Sequence, residues 1–104
     1  MVFDILKVTG IGEYVEKTEK DATDESKSRT IYYKKAGDKA FLVVNKHTIE
    51  LRTDRELAKL LENKYESVME SRYFGRGGIE IVPTNQLSPE ELGDLIRLSY
   101  DLTA

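Results

Sequence analysis

The run RTIYYKKAGDKAFLVVNKHTIELRT, Arg29 to Thr53, alternates with a two-residue period three times, and turn-forming residues fill the gaps. Alternation places successive side chains on opposite faces of an extended strand, so the run reads as a three-stranded antiparallel meander. In the first strand, Arg29 to Lys35, Ile31 and Tyr33 share one face, and Tyr32 and Lys34 share the other. Ala36-Gly37-Asp38-Lys39 supplies a tight turn. The second strand, Ala40 to Asn45, is apolar on both faces, which suits a central position. Asn45 to His47 turns the chain again, asparagine tolerating the left-handed backbone such turns use. In the third strand Ile49 and Leu51 oppose Thr48, Glu50 and Arg52, predicting one buried face and one wet face.

Helices cover the buried face. Thr53-Asp54-Arg55-Glu56 has the spacing of a capping box, and Leu57, Leu60 and Leu61 then follow at helical intervals. Ser88, Pro89 and Glu91 mark a second start, from which Leu92, Leu95, Ile96, Ser99 and Leu102 form one face. Val2, Ile5 and Leu6, with Phe3 beside them, predict a short N-terminal helix ending at Gly10, and Ile11, Tyr14 and Val15 extend a helical pattern. Residues 16–28 lack apolar periodicity and read as a flexible charged loop. Val68 and Met69 are expected to be buried in a short strand or extended segment, Tyr73 to Gly78 to form a loop, and Ile79 to Val82 to return as a strand ended by Pro83. The sum is an α+β two-layer sandwich, with an antiparallel sheet packed by N-terminal, central and C-terminal helices, in a single domain over residues 1–104. Its expected core is Ile31, Leu42, Val44, Ile49, Leu51, Leu57, Leu60, Leu61, Ile81, Leu92, Leu95 and Ile96.

The chain has no cysteine, which excludes disulfides, a thiolate nucleophile and Cys-ligated metal centres, and it fits a reducing, cytoplasmic setting. No apolar run is long enough to span a membrane, and no export signal is legible at the N-terminus. The net charge is −3, but it is unevenly spread. Residues 1–28 carry four basic and seven acidic groups, residues 29–76 eleven and seven, and residues 77–104 one and five. The middle segment is the basic one.

The runs IELRTDRELAKLLENKYESVMESRYFGRGGIEI, Ile49 to Ile81, and LSPEELGDLIRLSYDL, Leu87 to Leu102, resemble the MmcQ/YjbR family. Arg52, Thr53, Glu56, Ser71, Arg72, Tyr73, Ser99 and Tyr100 stand where such proteins carry a basic residue before a helix start, a Ser-Arg-aromatic segment and a final Ser-Tyr. Many members have tryptophan at the strand that follows the Ser-Arg segment, where this chain has Gly77-Gly78-Ile79. The resemblance implies a fold similar to frataxin-like proteins and a DNA-binding role of the double-wing kind.

The residues themselves point away from catalysis. His47 is the only histidine and lies in a turn, no carboxylate pair at acid–base spacing is legible, and the glycine clusters lack a Walker lysine. The six acids between Glu13 and Glu25 lack the ligand alternation of a calcium loop. Neither metal nor cofactor is expected. Lys34, Lys35 and Lys39 at a hairpin tip, with Arg72, Tyr73 and Arg76 in a glycine-containing loop, form the candidate DNA contact, cations neutralising phosphates and the aromatic stacking on bases. The competing reading is a protein-interaction domain that uses an exposed sheet face around Tyr32, Phe41 and Val43.

Overall fold

The computed structural model describes residues 8, 10–20, 23, 28–84 and 86–103. In chain order the elements are β1 (Tyr14–Glu19), β2 (Arg29–Lys34), β3 (Lys39–Asn45), β4 (Ile49–Arg52), α1 (Arg55–Lys64), β5 (Val68–Ser71), β6 (Gly75–Ile81) and α2 (Pro89–Leu102). The architecture is α+β, and its sheet is larger than the three-stranded meander expected from residues 29–53. Six strands lie in the order β1-β2-β3-β4-β6-β5, every pairing antiparallel. Two helices occur among the described residues, and the expected N-terminal helix falls outside them.

β1 corrects two expectations at once. Tyr14 and Val15 are strand rather than helix, and Glu16 to Glu19 belong to β1 rather than to a loop. Only the edge of β2 was available to this segment, so Tyr14 alone packs against the core, the side chains from Val15 onward stay exposed, and the apolar pattern is erased. Pairing is supported instead by cross-strand contacts: Glu19 accepts from Arg29 at 2.9 Å, Lys17 lies over the Tyr33 ring, and the Thr18 and Thr30 hydroxyls are 3.4 Å apart. The β2–β3 turn places Gly37 and Asp38 at positive φ, a conformation that glycine adopts freely and aspartate tolerates.

α1 packs on β5 and β6, and α2 packs on β3 and β4. Between helices and sheet lie Leu42, Ile49, Leu51, Ile79, Ile81, Ala58 and Ile96, all buried. Val44, Leu61, Leu92 and Leu95 are half-buried against them. Leu60 is not part of this core: it is 66 % exposed, on the far side of α1. Met69 and Leu102 are likewise exposed. Asp54, not Thr53, caps α1, its carboxylate accepting from the Leu57 amide at 2.7 Å. Thr53 is drawn inward because its amide donates to the Gly77 carbonyl at 2.7 Å, leaving its hydroxyl buried without a partner among the described residues. Ser88 caps α2 as its sequence predicts, accepting from the Glu91 amide at 3.1 Å, with Pro89 following.

A register shift between Tyr32 and Tyr33 sets Phe41 and Leu42 of β3 together opposite Tyr32. The Ser99 hydroxyl on α2 serves this irregularity: it donates to the Phe41 carbonyl at 2.5 Å and accepts from the Arg52 amide at 2.8 Å. One fully buried hydroxyl thereby ties α2 to β3 and β4.

Candidate nucleic-acid interface and the covered sheet face

The face of the sheet opposite the helices is not the wet face that the alternation in β4 predicts. Glu50 of β4 and Glu80 of β6 are directly paired across the ladder, and each is only 2 % exposed. What buries them is the connection from β5 to β6. Leaving Ser71, the chain folds Arg72, Tyr73 and Phe74 back over the sheet, and Phe74 packs with Tyr33 on a second apolar cluster of Ile31, Ala40 and Val43. Gly78 makes this possible, since a Cβ there would lie 2.5 Å from the Phe74 Cβ and 2.7 Å from the Leu51 carbonyl oxygen.

The two carboxylates hold the loop down. Glu50 Oε1 accepts from the Ser71 hydroxyl and the Tyr73 amide, both at 2.9 Å, while Oε2 accepts from Asn45 Nδ2 at 2.9 Å. Ser71 Oγ in turn accepts from the Phe74 amide at 2.8 Å. Glu80 takes a two-pronged contact from Arg72, Nε at 3.0 Å and Nη2 at 2.8 Å, and accepts from the Thr48 hydroxyl at 2.7 Å. Asn45 Nδ2 also reaches the Thr48 hydroxyl at 2.9 Å, joining both halves into one network. Burial would raise the Glu80 carboxyl, but hydrogen bonds from Arg72 and Thr48 and the Arg72 charge outweigh it and hold Glu80 below its ordinary range. The same hydrogen bond and charge raise Arg72. Desolvation raises the Tyr73 phenol, with neighbouring Tyr33 adding to the effect.

The sequence-predicted site residues fall in three places. Lys34 is spent within the fold: its ammonium donates to the Thr103 carbonyl at 3.1 Å and the Tyr100 carbonyl at 3.4 Å, and it sits over the Tyr100 ring. A cation at the carboxyl end of α2 complements the helix dipole and its unpaired carbonyls. Arg72 and Tyr73 belong to the covering loop. The Arg72 side chain remains 77 % exposed beyond its contact with Glu80, whereas Tyr73, 37 % exposed, packs edge-on against Phe74 beneath the guanidinium of Arg29. Lys35, Lys39 and Arg76 are exposed.

Register brings those last three to one end of the sheet. Lys34 pairs with Lys39 at the β2–β3 hairpin, Leu42 pairs with Leu51, and Arg52 pairs with Gly78. The chain from Leu42 back to Lys39 therefore runs the same way as Leu51 on to Thr53 and as Ile79 back to Arg76. Lys39 and Arg76 are separated there by β4 alone, two strand spacings or about 10 Å. Among the described residues Lys35 has one ion pair, to Glu13 at 3.2 Å, with both partners largely exposed, a contact that holds the side chain only loosely.

The residues expected to mark an exposed interaction face do not form one. Tyr32, Phe41 and Val43 are all buried, the first two under the helices and Val43 under the covering loop. Glu50 and Glu80 were missed as interior residues, although a signal was present. Ile-Glu-Leu at 49–51 and Ile-Glu-Ile at 79–81 are matching triplets, which set acid against acid when the strands pair. No group of three or more His, Cys, Asp or Glu side chains is placed to hold a metal among the described residues, and no helix among them is long and apolar enough to cross a membrane. No family model, curated protein or solved structure matches this chain.

Proposed function

We propose that this protein is a non-catalytic DNA-binding domain of MmcQ/YjbR type, which contacts DNA weakly and mainly through its phosphates. The observation that carries the reading is the meeting of Lys35, Lys39 and Arg76 at one end of the sheet, the two lysines on a hairpin tip and the arginine across β4. Exposed cations at this spacing can neutralise neighbouring phosphates without reading bases. The resemblance in Ile49 to Ile81 and Leu87 to Leu102 supports the same role. Arg72 lends its outer edge to the same polyanion only at the side of the sheet, and Lys34 takes no part because its ammonium closes α2.

The test is a DNA-binding titration at low salt with the double variant Lys35→Glu/Lys39→Glu. Both side chains are exposed, so the fold is retained while the hairpin charge is reversed. Binding to unrelated duplex sequences falls together and by similar factors, and Arg76→Ala weakens it further. Affinity unchanged in both variants would remove this end of the sheet as the contact.

A further inference from the structure

The helix side of the molecule carries a groove of about 460 Å³ between α1 and the β5–β6 pair, walled by Arg55, Glu56, Lys59, Glu62, Glu70 and Arg76. That volume lies within the range of small-ligand sites, about 300–1,000 Å³. Three walls are cationic and three anionic, yet none of the six forms an ion pair among the described residues. Their methylene stems supply apolar wall between the charged heads.

The signs are partly segregated along the groove. Arg55 opens α1 two residues after Thr53, whose amide bonds to Gly77, so Arg55 and Arg76 lie at one end together with the positive end of the helix dipole. Glu62 is two turns further along α1, about 10 Å on the helix axis, toward the end where β5 begins. Glu70 stands level with Ile79, on the Glu62 side of Arg76. Glu56 lies in the first turn beside Arg55 and offsets part of the charge at that end, while Lys59 falls between the two ends.

We propose that this groove binds a short peptide with free termini, its carboxylate held by Arg55 and Arg76 and its ammonium by Glu62 and Glu70. An extended chain advances about 3.3–3.6 Å per residue, so three residues span the roughly 10 Å between the two ends. A guanidinium pair matches a planar carboxylate, and the two acids receive an ammonium. The inference stands apart from the DNA reading except that both use Arg76, and residues unique to each separate them.

Trialanine with free termini is the probe, titrated into the full chain while backbone amide resonances are followed. Saturable shifts confined to residues 55–62, 70 and 76 are expected, with a dissociation constant on the order of 1 mM. N-acetylation or C-amidation of the peptide weakens binding about tenfold. Glu62→Gln weakens the free-amine peptide similarly but leaves the N-acetylated one unchanged, and Lys39→Glu, which weakens DNA binding, alters neither. Absence of saturable shifts at about 20 mM peptide, twenty times that constant, would overturn the proposal. Equal binding of blocked and free peptides, or indifference to Glu62→Gln, would overturn it as well.

Discussion

Replacing Glu50 by alanine removes the acceptor on which the Arg72–Phe74 cover is latched. The carboxylate takes three hydrogen bonds, from Ser71, Tyr73 and Asn45, and is itself buried. Asn45 keeps Thr48 as a partner, and so loses least. The Ser71 hydroxyl and the Tyr73 amide have no second acceptor among the described residues, and each donor left unmet in the interior costs about 1–3 kcal/mol. Releasing a desolvated carboxylate returns part of this, so the expected loss is about 3 kcal/mol, a large share of the 5–15 kcal/mol typical of a domain. Glu50→Gln keeps a carbonyl oxygen in the Oε1 position and forfeits only the Asn45 contact, for about 1 kcal/mol. Urea unfolding followed by circular dichroism, with exchange protection of the Tyr73 amide as a local readout, measures both. The latch is refuted if Glu50→Ala stays within about 0.5 kcal/mol of the parent and the Tyr73 amide remains equally protected.

Ser99→Ala leaves the Phe41 carbonyl and the Arg52 amide without their shared partner, and a loss of about 2 kcal/mol should lower the melting temperature by about 10 °C; an unchanged transition would show that the β3 irregularity does not depend on α2. Gly78→Ala drives a methyl into Phe74 and the Leu51 carbonyl, and should cost about 2 kcal/mol or more and alter the near-ultraviolet tyrosine signal, whereas a near-neutral result would mean that the loop does not lie where described. The depressed Glu80 carboxyl gives stability that is fully present above its unfolded value of about 4.3 and is lost as pH falls through its lower folded value. Arg72→Ala removes the main partner and should flatten this acid dependence in urea midpoints measured from neutral to acidic pH; equally steep curves for both proteins would assign the dependence elsewhere.

The strands β2, β3 and β4 lie within the alternating runs of residues 29–53, because each has neighbours on both edges and its pattern answers to burial. β1 was illegible for the opposite reason. An edge strand paired on one side only, with charged residues at its tip, packs a single side chain, Tyr14, against the core, and one residue leaves no period in the sequence. Ser88 was readable as a cap because no tertiary contact competes for it, whereas Thr53 lost that role to Asp54 when Gly77 claimed its amide. Leu60 has the spacing of a core residue, but α1 lies where its stripe is too wide for the surface it meets. The candidate site was legible only as a set of residue types. Lys34, Lys35 and Lys39 are close in sequence, and nothing in that sequence says that the carboxyl end of α2, more than sixty residues later, withdraws one of them. Arg72 and Tyr73 read as an exposed loop until Glu50, itself read as wet, and Glu80 are seen to bind it.

The proposed role is tested most directly by the salt dependence of binding to a fluorescent DNA duplex. With about three phosphates neutralised by Lys35, Lys39 and Arg76, raising salt from about 50 to about 200 mM should weaken binding about forty-fold. Undetectable binding at the lower salt, or the same affinity at both, would contradict the account.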